Sequence, residues 1–218
     1  MDRLLYIFDL FGTSIFAITG ALAAGRKRMD IFGVMVLACT TALGGSTLRD
    51  VMLGVYPIFW IEFKLYFVIS IVSATATFVL ARFISLPTRV LVDLDTIGLS
   101  IFTLVGFEKG NSISGSYLIG IIMGAVTGTF GGIIRDVLAD EVPLILKREI
   151  YASASLGGAS LFALLSFYSF PRLFSFFVCM IFILAIRALA LHYNVSLPLF
   201  LFSRPKSSKK GKKPPKKR

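Results

Sequence analysis

The chain reads as an all-α integral membrane protein with seven transmembrane helices: two inverted three-helix repeats followed by a seventh helix. Two observations predict this. The first is composition: 56% of the 218 residues are hydrophobic and the mean hydropathy is +0.83, in apolar runs near the length of about 20 residues that spans a bilayer. The second is an internal duplication. Gly45-Ser46-Thr47-Leu48-Arg49-Asp50-Val51, with Pro57 downstream, returns as Gly131-Gly132-Ile133-Ile134-Arg135-Asp136-Val137, with Pro143 downstream, at an offset of 86 residues. The same offset pairs Asp9, Gly12, Ser14, Ile15, Phe16, Gly20 and Thr41 with Asp95, Gly98, Ser100, Ile101, Phe102, Gly106 and Thr127. That makes 12 identities in the 49 positions from Asp9 to Pro57, concentrated in glycines and charges that two apolar segments would not share by chance.

The apolar runs, bounded by charges or prolines, fall at residues 4–25, 31–54, 58–81, 90–107, 117–138, 150–170 and 173–193. In hydrocarbon every backbone polar group needs a partner within the protein. These runs are continuous at helix length and lack the alternation of barrel strands, so each is read as a helix. The first run ends in Ala21-Leu22-Ala23-Ala24, which suggests a signal peptide, but Asp9 lies inside it and its duplicate Asp95 lies in a segment that is not cleaved. It is therefore read as a retained helix. The duplication divides the chain into a first repeat at 1–86, a second at 87–171, a seventh helix at 172–195 and a basic tail at 196–218.

Three helices per repeat is an odd number, so the second copy enters the membrane from the opposite side. Arg26, Lys27, Arg28, Arg82, Arg89, Lys147, Arg148 and the tail then lie on one side, against Arg3, Lys64, Lys109 and Arg172 on the other. The excess predicts an N-terminus outside and a cytoplasmic C-terminus in a prokaryotic inner or plasma membrane.

The net charge of +11 does not point to nucleic acid, since nine of the 23 basic residues lie between Arg204 and Arg218 and the other 14 face 12 acids. The tail is too polar and Pro-rich to bury a core. Its composition predicts a disordered, solvated segment that orients the protein and attracts anionic lipid headgroups. Cys39 and Cys179 fall inside apolar runs, and with the single His192 they support neither a disulfide framework nor a zinc site. Asp93-Leu94-Asp95 lacks the further acids or histidines of a metal site, and no nucleophile–base pair or phosphate-binding loop is visible. Neither an enzyme nor a cofactor is expected. Arg187 is read as a snorkelling anchor near the cytoplasmic end of the seventh helix, His192 as an interfacial polar group, and the Phe-rich stretch of the last two spans as lipid-facing.

The functional signal lies in charges inside the bilayer, where a lone charge costs on the order of 3 kcal/mol. The orientation lets Asp9 cluster with Arg49 and Asp50 toward the outer face, and the inversion brings Asp95 to Arg135 and Asp136 toward the inner face. These groups are either ion pairs and caps that hold the fold, or two charged constrictions of one pore. Small residues form stripes at helical spacing, Ala38, Ala42 and Gly45 in the second span and Gly120, Gly124, Gly128 and Gly131 in the fifth. The stripes either let helices approach closely, or mark where Gly44-Gly45 and Gly131-Gly132 break the helix so that freed carbonyls face an ion.

Gly-Gly followed by Arg-Asp-Val and a downstream Pro, twice, in a seven-span chain of this length resembles the prokaryotic members of the TRIC (trimeric intracellular cation) channel family. The likeness runs from residue 4 to about 195. It implies a homotrimer with a separate potassium-permeable pore in each subunit, lined mainly by helices one, two, four and five. By position, Gly44, Gly45, Gly131 and Gly132 would be kinks of helices two and five, and Arg49, Asp50, Arg135 and Asp136 the polar groups beside them. The Lys-Glu-Val motif through which animal members bind phosphoinositide is absent. The reading is a monovalent cation channel, potassium before sodium, whose partners are its own copies, membrane lipids and permeant ions. Similar bacterial sequences carry a glycine-transporter label, so the alternative is a secondary carrier of a small zwitterion such as glycine, its carboxylate meeting Arg49 or Arg135.

Overall fold

The computed structural model describes residues 3–83, 87–146 and 150–193. The basic tail, Lys147 and Arg148, which bear on the orientation, lie outside the described residues. Among those residues the structure is all helical: α1 (Arg3–Arg26), α2 (Ile31–Met52), short α3 (Phe59–Glu62), α4 (Leu65–Leu80), α5 (Thr88–Ser114), α6 (Tyr117–Leu138), a 3-10 turn (Leu144–Leu146), α7 (Ala152–Phe167) and α8 (Arg172–Tyr193). By length and composition α1, α2, α5, α6 and α8 can each cross a membrane, while α4 and α7 are apolar but only 16 residues long.

Local chemistry sets several ends. Asp30 caps α2 by accepting from the Gly33 N–H at 2.7 Å. The apolar run that suggests an end at residue 107 continues as helix to Ser114, because Glu108 and Lys109 both find partners. Arg172 forks onto Glu108 at 2.6 and 2.8 Å, and Lys109 reaches Asp50 at 3.0 Å. The helix stops where Gly115 takes the left-handed conformation at φ 66°.

The two halves pack through reciprocal contacts. A Cβ on Gly12 would stand 3.3 Å from the Phe102 ring, and one on Gly98 would fall into the Phe16 ring. Phe16 and Phe102 meet edge to face with centroids 5.0 Å apart. Partner numbers fall along α5 as they rise along α1, so the two helices run antiparallel. In the same way a Cβ on Gly45 would fall on the Thr127 carbonyl oxygen and one on Gly131 on the Thr41 carbonyl oxygen, so α2 and α6 also cross antiparallel. Thr41 and Thr127 are themselves separated by 86 residues.

Two expectations are corrected here. Helices α2 and α6 run unbroken through Gly44-Gly45 and Gly131-Gly132, so no mid-helix break frees carbonyls. The missing side chains are needed because backbone meets backbone at the crossing. Arg187 does not snorkel: it is wholly buried, with its guanidinium 4.9 Å from the centre of the Tyr151 ring and Nη1 donating to the Ile150 carbonyl at 3.4 Å. Helix α8 meets the bundle through Ser175, Phe176, Cys179, Ile183, Arg187 and Ala190, with Ile183 seated on Gly158 of α7.

Candidate functional site

Arginine and aspartate adjacent on one helix can pair only if the arginine folds back, and this happens twice. Arg49 Nε donates to Asp50 Oδ1 at 2.9 Å, and Arg135 Nε donates to Asp136 Oδ1 at 2.9 Å. The second carboxylate oxygen takes a backbone N–H from the chain that re-enters after each proline: Phe59 onto Asp50 at 3.1 Å and Leu144 onto Asp136 at 2.9 Å. Each aspartate thus ties the end of its helix to the next element, and both arginines are fully buried. A charge-assisted pair of this kind persists in hydrocarbon because its remaining lone pairs are satisfied.

The clusters then diverge. In the second, Arg135 Nη1 also reaches Asp95 Oδ1 at 2.5 Å, so Asp95, Arg135 and Asp136 are joined as the sequence suggests. In the first, Asp9 forms no ion pair with Arg49 and is held instead by the Tyr66 hydroxyl at 2.9 Å. Lys109, from α5, supplies the second cation to Asp50, with Nζ 3.0 Å from Oδ1 and 3.2 Å from Oδ2. Arg49 Nη2 lies 2.8 Å from Asp50 Oδ1, but its N–H is not aimed at that oxygen.

The glycines divide by role. Gly45 and Gly131 sit at the α2–α6 crossing, Gly132 faces Asp95, Arg135 and Tyr151, and Gly44 packs on Ile134 along an apolar outer groove of about 460 Å³. The second cluster borders a smaller cavity of about 140 Å³ lined by Arg26, Lys27, Arg135, Asp136 and Glu141 among others. Across it Lys27 pairs with Glu141 at 2.9 Å. The α1–α5 register sets Asp95 level with about residue 19 of α1, so about 15 Å of helix rise separates it from Asp9.

Lys109, Tyr66 and Tyr151 are the cluster residues that sequence reasoning missed. The two tyrosines are 85 residues apart, as are Phe59 and Leu144. The repeat therefore slips by one residue just after Pro57 and Pro143, and allowing that gap would have exposed the pairing. No such signal marks Lys109, because its counterpart in the first repeat is Ala23.

Paired charges buried in a duplicated apolar bundle define a multi-pass helical membrane protein with a polar core. Residues 6–82 and 93–166 each match the family model described as "Glycine transporter", once per half. A UPF0126 membrane protein of Vibrio cholerae serotype O1 is 42% identical over 205 residues, covering 92% of this chain and 84% of the relative. The UPF0126 inner membrane protein YadS of Escherichia coli strain K12 is 42% identical over 200 residues, covering 90% and 96%. A crystal structure of the TRIC trimeric intracellular cation channel orthologue from Rhodobacter sphaeroides superposes with a TM-score of 0.86 at 39% identity, covering 89% of this chain and all of that one. The chain belongs to this family, that of the prokaryotic TRIC channels, and is not an enzyme.

Proposed function

We propose that the protein is a monovalent cation channel, potassium before sodium, with one pore in each subunit of a homotrimer. The observation that carries this reading is the pair of buried charged clusters, related by the duplication and about 15 Å apart along the α1–α5 core. A carrier needs one occluded central site, whereas a pore needs a polar constriction at each end. The channel relatives support the same conclusion. In this reading α1, α2, α5 and α6 line the path, with Asp9, Arg49, Asp50, Asp95, Arg135 and Asp136 as its polar wall. Gly45, Gly131 and Gly132 keep backbones close and leave room beside the charges.

The membrane arrangement belongs to the same proposal. Helices α4 and α7, each about 24 Å long, complete seven spans, with α3 and the 3-10 turn filling the remaining depth. The antiparallel pairing of α1 with α5 and of α2 with α6 supports an inverted repeat, with the N-terminus outside and the C-terminus cytoplasmic. The E. coli relative's name supports the inner membrane. The apolar groove beside Gly44, Trp60 and Phe67 is a surface for a second copy. The alternative, a secondary carrier of a small zwitterion such as glycine, is favoured by the family model's description and by the opposed charges of Asp95 and Arg135.

Single-channel recording from purified protein in a planar bilayer under a potassium chloride gradient tests the reading. Resolved unitary currents that reverse near the potassium equilibrium potential are expected. Asp50→Asn and Asp136→Asn should alter their size, because each removes a carboxylate at a constriction. Absence of unitary current, with glycine counterflow in proteoliposomes, would establish the carrier instead.

A further inference from the structure

The two helix-end aspartates share the same bonds up to a point. Each takes its arginine's Nε on Oδ1 and a backbone N–H on Oδ2, from Phe59 in the first repeat and from Leu144 in the second. Asp50 then has a third partner. The Lys109 ammonium lies 3.0 Å from Oδ1 and 3.2 Å from Oδ2, so it straddles both oxygens of a wholly buried carboxylate. At the duplicated position, 86 residues earlier, stands Ala23. Ala23 and Asp136 both line the cavity of about 140 Å³, together with Arg26, Lys27 and Glu141. The Asp136 side chain is 11% exposed, against 0% for Asp50. What the lysine fills in the first repeat therefore borders a cavity in the second.

Lys109 comes to Asp50 from a different helix, α5 against α2, and its side chain is 23% exposed although the carboxylate is closed off. Asp50 uses only the terminal ammonium, a compact point charge on a flexible stem. No planar fork geometry is involved of the kind that an arginine pairing requires. A free cation of the same charge and size can therefore meet the two oxygens in the ammonium's place. The stem marks the way in, because it runs from the buried oxygens to exposed surface. Arg49, already on Oδ1, opposes further positive charge, so the place takes a single monovalent ion.

We infer that the two oxygens of Asp50 form a site for one small monovalent cation, of the ammonium or potassium class, which Lys109 fills as a tethered occupant. The site rests on this geometry alone. Its consequence for conduction rests on the channel reading: Lys109 is then a competitor that an ion passing the first cluster has to displace.

Lys109→Ala tests the site by removing the ammonium and its stem, which leaves both the space and the route, whereas Lys109→Met removes the charge and keeps the space filled. Thermal unfolding of the full-length proteins in detergent is compared at equal ionic strength in ammonium, methylammonium or potassium chloride and in N-methylglucamine chloride, whose cation is too large for the place. The alanine variant is expected to melt about 2–4 °C higher in the small cations than in N-methylglucamine, beyond any difference shown by the parent or by Lys109→Met. An alanine variant indifferent to the cation overturns the inference. So does a methionine variant that responds equally, because general screening acts on both. Failure of the alanine variant to fold even with ammonium present overturns it as well, since free ammonium restores the pairing if the site exists. In planar bilayers Lys109→Ala should carry a larger unitary potassium current than the parent, and equal currents would remove the competitor role. Absence of current from both proteins ends the channel reading instead, and the thermal comparison still decides the site.

Discussion

Alanine in place of Gly45 or Gly131 probes the contact on which the two halves are joined. Each added methyl would land on a backbone carbonyl, Thr127 in one case and Thr41 in the other, far inside van der Waals contact. Unlike a flexible side-chain end, a helix carbonyl cannot turn aside, so α2 and α6 would have to separate by about 1 Å, a cost at the upper end of the 1–3 kcal/mol typical of overpacking. Alanine's better helix propensity returns about 1 kcal/mol, leaving a net loss of about 2 kcal/mol and a melting temperature lower by about 4–8 °C. The two contacts belong to one crossing, so the gap opened by the first methyl admits the second. The double variant Gly45→Ala/Gly131→Ala should be no less stable than either single variant. Gly25→Ala, where nothing lies within 4 Å of the new methyl, is the control and should hold or raise stability. Thermal unfolding of the parent and the four variants, followed by fluorescence-detected size exclusion, gives the comparison. Single variants that melt at or above the parent, or losses that add in full, would refute the crossing argument. Gly45→Leu or Gly131→Leu, which place a larger side chain against the same carbonyls, should fail to assemble.

Arg135→Met leaves the buried carboxylates of Asp95 and Asp136 without their shared cation and should cost about 3–5 kcal/mol, seen as a large fall in melting temperature. Lys109→Met should cost much less, because Lys109 is partly exposed and Asp50 keeps Arg49 and the Phe59 N–H; equal losses in the two variants would contradict the geometry. Cysteines at exposed Lys64 and Arg89, in a background lacking Cys39 and Cys179, should react with impermeant maleimide from opposite faces of the membrane. Labelling of both from one side would defeat the inverted repeat.

Much of the fold was legible in the sequence because its cause is one-dimensional. Hydrocarbon admits only chain segments that satisfy their own backbone, so apolar length alone marks the helices, and duplication copies glycines and charges at an offset that counting finds. That reasoning located Arg49, Asp50, Arg135 and Asp136 and anticipated the union of Asp95 with the second pair. It failed at Tyr66 and Tyr151, because the one-residue slip after each proline moved them off the counted register.

What only the tertiary structure decided is which side chain meets which. A glycine pair reads equally well as a hinge or as a contact, and the α2–α6 crossing made it a contact by bringing the Thr41 and Thr127 carbonyls against it. Arg187, near a helix end, reads as an interfacial anchor, yet Tyr151 and the Ile150 carbonyl hold it in the core. Lys109 reads as a surface charge, yet the packing of α5 against the first repeat gives it to Asp50. The sequence determines the helices and their repetition through the backbone's need for internal hydrogen bonds. Partnership between helices depends on crossing position and rotation, and these are settled only when all the contacts of the bundle form together.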